Sequence, residues 1–393
     1  MRAKPDQAGS RLYSGGLPNQ RLLCILTTLM GNKSTAQRLA GALDKIPHLD
    51  ITYVSVSAED YASYAAPAWA RATNPWHVQH IARRKAQPVL DQHFDLLLVY
   101  SWEFAAAFRD LARRMPSAAL MDSIPATIDR QLRQRGFRGW KRWISHNVHH
   151  RSFRAAAKDF EVWLAMGSDC AGSLAQDYGI PRDRIFITLA PQDLKAWKPG
   201  GRVYAPPLRL LFVANDFERK GGDFLLRLYS AYLAGACKLI IASSDPSLQS
   251  RTLPAGVTWL RGRNRDELLR VYQQSDLFLF PTLQDYMPQV LAEALATGVP
   301  CMANDVGGIR DLVQEGKTGF LMSPHDPPER WAARIEESIA RPASLTCLSE
   351  NARRFAEENL SLERFENLIA SVITRLLNKT ATTEGHGGDG CSE

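Results

Sequence analysis

The chain has 393 residues, too many for one ordinary hydrophobic core, so two domains are expected. Its 45% hydrophobic and 23% charged residues are those of a globular protein, and no run approaches the roughly 20 apolar residues of a spanning helix. The net charge of +7 is local. Residues 130–158 carry nine Lys/Arg and no Asp or Glu, and without those nine the chain stands near −2.

Residues 1–20 are polar, contain Gly and Pro and hold no apolar signal core, so a disordered tail is expected there. Short apolar runs then alternate with helix-like stretches. Strands are predicted at 22–26, 51–56, 95–100, 118–121 and 161–165, and again at 208–213, 238–242, 257–260, 277–280, 300–303 and 320–322. Continuous apolar strands spaced by helices are the pattern of buried parallel sheets, and two sets of them predict two doubly wound Rossmann-like domains facing a central cleft. The N-terminal domain is expected at 21–198, a Pro/Gly linker at 199–207 and the C-terminal domain at 208–360. A helix at 361–378 is expected to cross back to the first domain, ahead of a Gly/Thr-rich disordered tail at 379–393. The six cysteines are scattered, which speaks against a disulfide framework or a cysteine zinc site and fits a reducing cytosol.

The most informative stretch is 280–308. A buried strand ends at Pro281, a loop follows, and Pro288 suits the first position of a helix closed by Gly298 and Pro300. Met287 stands where Ser, Thr, Asp or Asn would normally cap that helix. Uncapped N–H groups at a positive helix end make an anion site, so a diphosphate is predicted at Met287, Pro288, Gln289 and Val290. Asp285 in the loop and Glu293 in the helix flank it, and helical side chains tilt back toward the N-terminus. Downstream of the strand at 208–213, Arg219 and Lys220 precede Gly221-Gly222, a place from which cations clamp a leaving diphosphate.

The run Asp285-Tyr-Met-Pro-Gln-Val-Leu-Ala-Glu293-Ala-Leu-Ala-Thr-Gly298-Val-Pro300 resembles the signature of the retaining glycosyltransferase family 4, which has the GT-B fold. Asp285 stands where the family usually has Glu. The resemblance implies that Asp285 contacts the donor sugar or its phosphate and that Glu293 holds the ribose. Gly307-Gly308 and Lys220-Gly221 also match the family pattern, while Asn215 occupies the place of an earlier family Arg, for which Arg219 would substitute. Gly31, after the first strand, stands where many members have Gly-Gly near the diphosphate. Asp122, in Asp-Ser-Ile-Pro125, resembles a cleft-facing segment of some members. The implied activity is transfer of a hexosyl group, with retention, from a UDP- or GDP-sugar to a glycan or lipid-linked acceptor. Cell-surface polysaccharide or glycolipid biosynthesis on the cytoplasmic side is the implied setting. No Asp-x-Asp triplet occurs, so no metal or other cofactor is expected to be required. The alternatives are a nucleotide-sugar epimerase on the same fold, or a non-catalytic membrane- or nucleic-acid-binding protein on a retired scaffold.

In 130–158 the cations Arg130, Arg133, Arg135, Arg138, Lys141, Arg142, Arg151, Arg154 and Lys158 are interleaved with Phe137, Trp140, Trp143 and Phe153. This suits a helix lying on an anionic membrane surface, with an inward-packed basic helix as the competing reading and nucleic acid not expected as a partner. His146, His149 and His150 have helical spacing that suits a metal. Without an acidic neighbour in the sequence around them, they are expected to be ordinary surface histidines.

Overall fold

The computed structural model describes residues 19–62, 75–134, 136 and 140–384. Most of the two expected tails, Arg135, Phe137 and Arg138, and the side chains of Trp140, Lys141, Arg142 and Trp143 lie outside the described residues.

The first sheet is built from β1 (Gln20–Thr27), β2 (Leu49–Val56), β3 (Leu96–Tyr100), β4 (Ser117–Met121), β5 (Val162–Met166) and β6 (Ile185–Thr188), in the order β2-β1-β3-β4-β5-β6. The second is built from β7 (Leu208–Val213), β8 (Cys237–Ala242), β9 (Val257–Leu260), β10 (Leu277–Phe280), β11 (Cys301–Asn304) and β12 (Gly319–Met322), in the order β12-β11-β10-β7-β8-β9. Every pairing is parallel. Inner strands β3, β4, β5, β10 and β11 are buried along their whole length, which is why they read as unbroken apolar runs. The strand order reverses between β1 and β3 in one sheet and between β7 and β10 in the other. Loops leaving those strands diverge and open a crevice at the carboxyl ends of the strands.

The helices that bear on the site are α1 (Lys33–Leu43), α2 (Trp102–Ala107), α3 (Pro125–Gln134), α4 (Trp140–Asp159), α5 (Ser168–Tyr178), α6 (Gly222–Leu228), α7 (Arg265–Gln273), α8 (Gln289–Ala296), α9 (Pro342–Asn359) and α10 (Leu362–Glu384). Two apolar clusters fill one face of each sheet, and a third joins the facing sides of both, from Leu22 and Leu39 through Met287 and Leu291 to Ile369. The chain between the sheets is anchored by Arg202, which donates to the carbonyls of Gly298 (2.6 Å) and Thr297 (3.0 Å). Arg353 of α9 donates to the carbonyls of Trp197 (2.8 Å) and Ala296 (2.6 Å), tying the same connection to the end of α8. α10 pairs with the first half of the chain through Lys45–Glu366 (2.7 Å) and Lys379–Glu161 (3.2 Å).

Four local expectations are corrected. β6 is absent from the predicted strands because Ile-Phe-Ile-Thr is a four-residue, half-exposed edge. The stretch 223–234 reads as one helix in the sequence, whereas α6 ends at Leu228 and the chain continues as a π-turn over Tyr229–Leu233. α8 begins at Gln289, with Pro288 rather than Met287 at its N-cap, because the Pro288 ψ of 115° is extended, not helical. The last helix runs to Glu384, past the expected tail boundary at 379.

Candidate active site in the interdomain cleft

The C-terminal side of the cleft is assembled from two loops at the β7/β10 switch point. Lys220 and Asp285 form an ion pair, both side chains largely enclosed, with the ammonium 5.5 Å from the centroid of the Phe280 ring. The loops touch through backbone. Gly221 has φ +89°, and a Cβ there would lie 2.3 Å from the Pro281 carbonyl oxygen, so only glycine allows this approach. Gly307 and Gly308 play the same part on the other side. A Cβ on Gly307 would meet the Asp285 carbonyl oxygen at 2.1 Å, and one on Gly308 the Tyr286 carbonyl oxygen at 2.3 Å. The Gly308 N–H also donates to the Tyr286 carbonyl (2.9 Å). The glycine pair therefore sets the position of the Asp285 loop.

The Asp285 carboxylate accepts from the Tyr286 N–H at 2.9 Å on its second oxygen. No side chain caps the start of α8. The Met287 side chain is buried against Gly308 and Gly167, so it packs the domains together and leaves only backbone toward an anion. The Gln289 side chain turns to the other domain. It accepts from Arg38 (2.5 Å) and Gln192 (3.2 Å) and donates to Thr35 (3.3 Å). Glu293 accepts from the Tyr272 hydroxyl (3.1 Å). Burial pushes its carboxyl up to about 7, and nearby Arg38 limits the rise. Burial likewise lowers the pKa of Arg38, against the pull of Glu293.

Arg219 is bound to Asp216 of its own loop (2.6 Å), so its guanidinium is held beside the cleft loop by a local carboxylate. Asn215 is exposed. Gly31 is exposed with open space around it.

The N-terminal side presents acids. Asp122, after β4, accepts from the Ser123 hydroxyl (3.0 Å); burial, with a smaller part from the Asp285 charge, lifts its carboxyl above the usual range. Glu103, in the first turn of α2, is pushed up to about 7, mainly by burial. Ser101 caps that helix by accepting from the Phe104 N–H (3.3 Å), and its φ of +142° is strained for a residue with a side chain.

Hydrogen bonds cross the cleft. Gln131 of α3 donates to the Asp285 carbonyl (2.7 Å). Asp311 reaches over to the start of α5, accepting from the Ser168 N–H and hydroxyl, each at 2.6 Å. It supplies from the other domain the cap that Gly167 does not provide. Sequence reasoning missed Arg38, Gln131, Ser168 and Asp311 as cleft residues. Each is an ordinary polar residue on its own element and gains its role only through the second domain.

The basic stretch is partly neutralised. Arg130 pairs with Asp169 (2.5 Å), Arg133 with Asp129 (2.8 Å), and Arg154 lies 5.8 Å from the centre of the Tyr178 ring, while Phe153 is fully buried. The histidines differ from expectation. His146 and His150 are half-buried, and Asp129 of α3 comes within 3.2 Å of His146 Nδ1.

Two facing six-stranded parallel sheets, with their strand ends turned to a common cleft, define the GT-B class of fold. Solved structures agree: sucrose-phosphate synthase from Thermosynechococcus elongatus superposes with a TM-score of 0.73 at 15% identity, covering 92% of this chain and 100% of that one. Anabaena Alr3699/HepE in complex with UDP-glucose gives 0.63 at 13% identity, over 90% of this chain and 99% of that one. Within that fold, residues 207–341 match the family model described as glycosyl transferases group 1. The D-inositol 3-phosphate glycosyltransferase of Rhodococcus opacus (strain B4) is 30% identical over 224 residues, 51% of this chain and 50% of the relative. That of Mycolicibacterium smegmatis is 32% identical over 207 residues, 47% of each. The chain thus spans about half the length of the curated relatives it matches.

Proposed function

We propose that this chain is a glycosyltransferase that moves a hexosyl group, with retention, from a nucleoside diphosphate sugar to the hydroxyl of a glycan or lipid-linked acceptor. The observation that carries the reading is the meeting of Lys220 and the uncapped start of α8 around Asp285 at the β7/β10 switch point. As the anomeric C–O bond breaks and the acceptor oxygen bonds to that carbon, one further negative charge develops on the departing diphosphate, whose oxygen takes up the proton that the acceptor hydroxyl gives up. Lys220 and the N–H groups of Gln289 and Val290 meet that charge as it develops, which lowers the barrier more than it stabilises the bound donor. Asp285 accepts from sugar hydroxyls, and Glu293 accepts from the ribose. Asp122 and Glu103 lie across the cleft, where an acceptor hydroxyl would arrive on the face from which the diphosphate leaves. Arg219, close to Lys220 in the chain, adds positive potential. No metal is required in this scheme, because fixed protein groups hold the diphosphate. UDP- and GDP-sugars are the donors favoured, Gly31 flanks the diphosphate, and the basic stretch 130–158 would bring the enzyme to an anionic membrane on the cytoplasmic side.

A donor panel tests the reading. UDP-, GDP- and ADP-sugars are screened for binding and for release of the nucleoside diphosphate, with Glu293→Ala as control. Release by the wild type, lost in the variant, is expected. An epimerase would return an altered donor with no nucleoside diphosphate released, and absence of binding to every donor would refute the assignment. Liposome sedimentation with Arg130→Glu and Arg151→Glu addresses the membrane part; binding unchanged by the substitutions would remove it.

A further inference from the structure

A second cluster of chemical groups lies behind the cleft, in the N-terminal domain. α3 contributes Asp129, which is 7% exposed. α4 contributes His146 and His150, four residues apart and so on one face of the helix, one turn from each other. Each of the three offers a ligand atom, and these atoms lie within 4.8 Å of one another. The two imidazole rings are 4.0 Å apart between centroids.

Two ring nitrogens here are buried without a hydrogen-bond partner: His146 Nδ1 and His150 Nε2. His146 Nδ1 sits 3.2 Å from Asp129 Oδ2, yet out of line for a hydrogen bond. Lone pairs and a carboxylate converging at this spacing, without closing on each other, are arranged as ligands are around a shared cation. The other nitrogen of His150, Nδ1, is 3.0 Å from the Tyr178 hydroxyl. That contact orients the ring and fixes which nitrogen points inward, as an outer partner does for a metal-bound histidine.

We propose that Asp129, His146 and His150 bind a zinc-type divalent cation in a site separate from the donor cleft. Two imidazole nitrogens and one carboxylate oxygen are a borderline-soft set suited to Zn2+, with water in the remaining position. Arg133 competes for Asp129 Oδ2 at 2.8 Å, but its side chain is 61% exposed and is free to turn to solvent when the cation takes its place. The bound cation ties α3 to α4. α3 also carries Gln131, whose amide donates to the Asp285 carbonyl at 2.7 Å, so the tie steadies a side chain at the donor loop. The site is independent of the reaction proposed above and stands if that reading fails.

The test uses the full chain, purified without a polyhistidine tag and stripped by chelator. Zn2+ is titrated by calorimetry, and Co2+ by its visible absorption. One equivalent of Zn2+, and Co2+ bands of a four-coordinate nitrogen/oxygen site, are expected. His146→Ala and His150→Ala each weaken binding more than about tenfold. Arg133→Gln tightens it, because Asp129 is relieved of one competitor for its Oδ2, and this variant leaves the ligands intact if the histidine variants fold poorly. His149→Ala, which removes the ring beside Trp102, leaves the affinity unchanged. The proposal is overturned if wild type takes up no stoichiometric Zn2+, or if Arg133→Gln does not alter the affinity.

Discussion

Glu293 offers the sharpest test of how the cleft is built. Its carboxyl is enclosed between Tyr272 and Arg38, and burial pushes it from 4.5 to about 7. An acid with a raised folded pKa binds protons more tightly in the native state than in the unfolded chain. The native state is therefore penalised as pH rises, starting near 4.5 and complete above about 7. A shift of that size corresponds to about 3 kcal/mol at full ionisation, since each pKa unit is worth ~1.4 kcal/mol. Glu293→Gln keeps the shape and the contact with Tyr272 and removes the titration. Urea unfolding at pH 5 and at pH 8 is the assay. The variant should gain on the wild type by roughly 2–3 kcal/mol more at pH 8 than at pH 5. A variant-minus-wild-type difference that is the same at both pH values would falsify the picture of a buried, proton-holding Glu293. Donor binding provides the opposite readout. If the ionised form accepts from the ribose, wild-type affinity rises with pH through about 7, and Glu293→Gln is weaker and flat.

The glycine pair gives a second prediction. Gly308→Ala puts a methyl about where the Tyr286 carbonyl now lies, so a cost of roughly 1–3 kcal/mol and weaker nucleotide binding are expected in denaturation and thermal-shift experiments; full stability in the alanine variant would show that the loop moves freely. The Lys220–Asp285 pair is tested by a cycle of Lys220→Met, Asp285→Asn and the double variant. Each single change leaves a largely enclosed charge alone, and a coupling of about 1–3 kcal/mol is expected; additive effects would mean the pair is solvent-screened. Asp311→Asn weakens the cap on α5 by about 1 kcal/mol and should widen the molecule in small-angle scattering, because the bonds to Ser168 cross the cleft; an unchanged scattering profile would count against Asp311 as a closure contact.

What was legible in the sequence follows from how local each feature is. Eleven of the twelve strands were found because parallel strands advertise themselves as apolar runs, and Leu277–Phe280 is buried at every position. The half-exposed β6 has no such run and was missed. The donor loop was legible because Asp285, Pro288 and Glu293 belong to one strand–loop–helix unit whose backbone physics can be read in order. Its cap was misplaced by one residue because Pro fits either the first helical position or an extended N-cap, and only the Pro288 ψ decides. The histidines were misread for a different reason. Asp129 lies on the preceding helix, and no spacing rule connects it to His146 before α3 and α4 pack together.

The same locality explains why the donor side of the site is better defined than the acceptor side. Lys220 and Asp285 now neutralise each other, and the Asp285 carbonyl is held by Gln131 from the opposite domain. Under the proposed reaction, an arriving diphosphate takes Lys220 away from Asp285. The carboxylate that loses its partner is then free to accept from the hydroxyls of the sugar attached to that diphosphate. The anion and the sugar are thereby read by one exchange of partners, and only a ligand carrying both compensates the two charges at once. Glu103, its carboxyl pushed up to about 7 by burial, bears less charge than an ordinary carboxylate at neutral pH, and burial raises the Asp122 carboxyl in the same direction. Nothing comparable fixes the acceptor: its side of the cleft is made from single residues of α1, α2, α3, α5 and the loop after β4, and three of them, Arg38, Gln131 and Ser168, also bond to the opposite domain. Acceptor choice is therefore expected to depend on how the two domains close as much as on any one side chain.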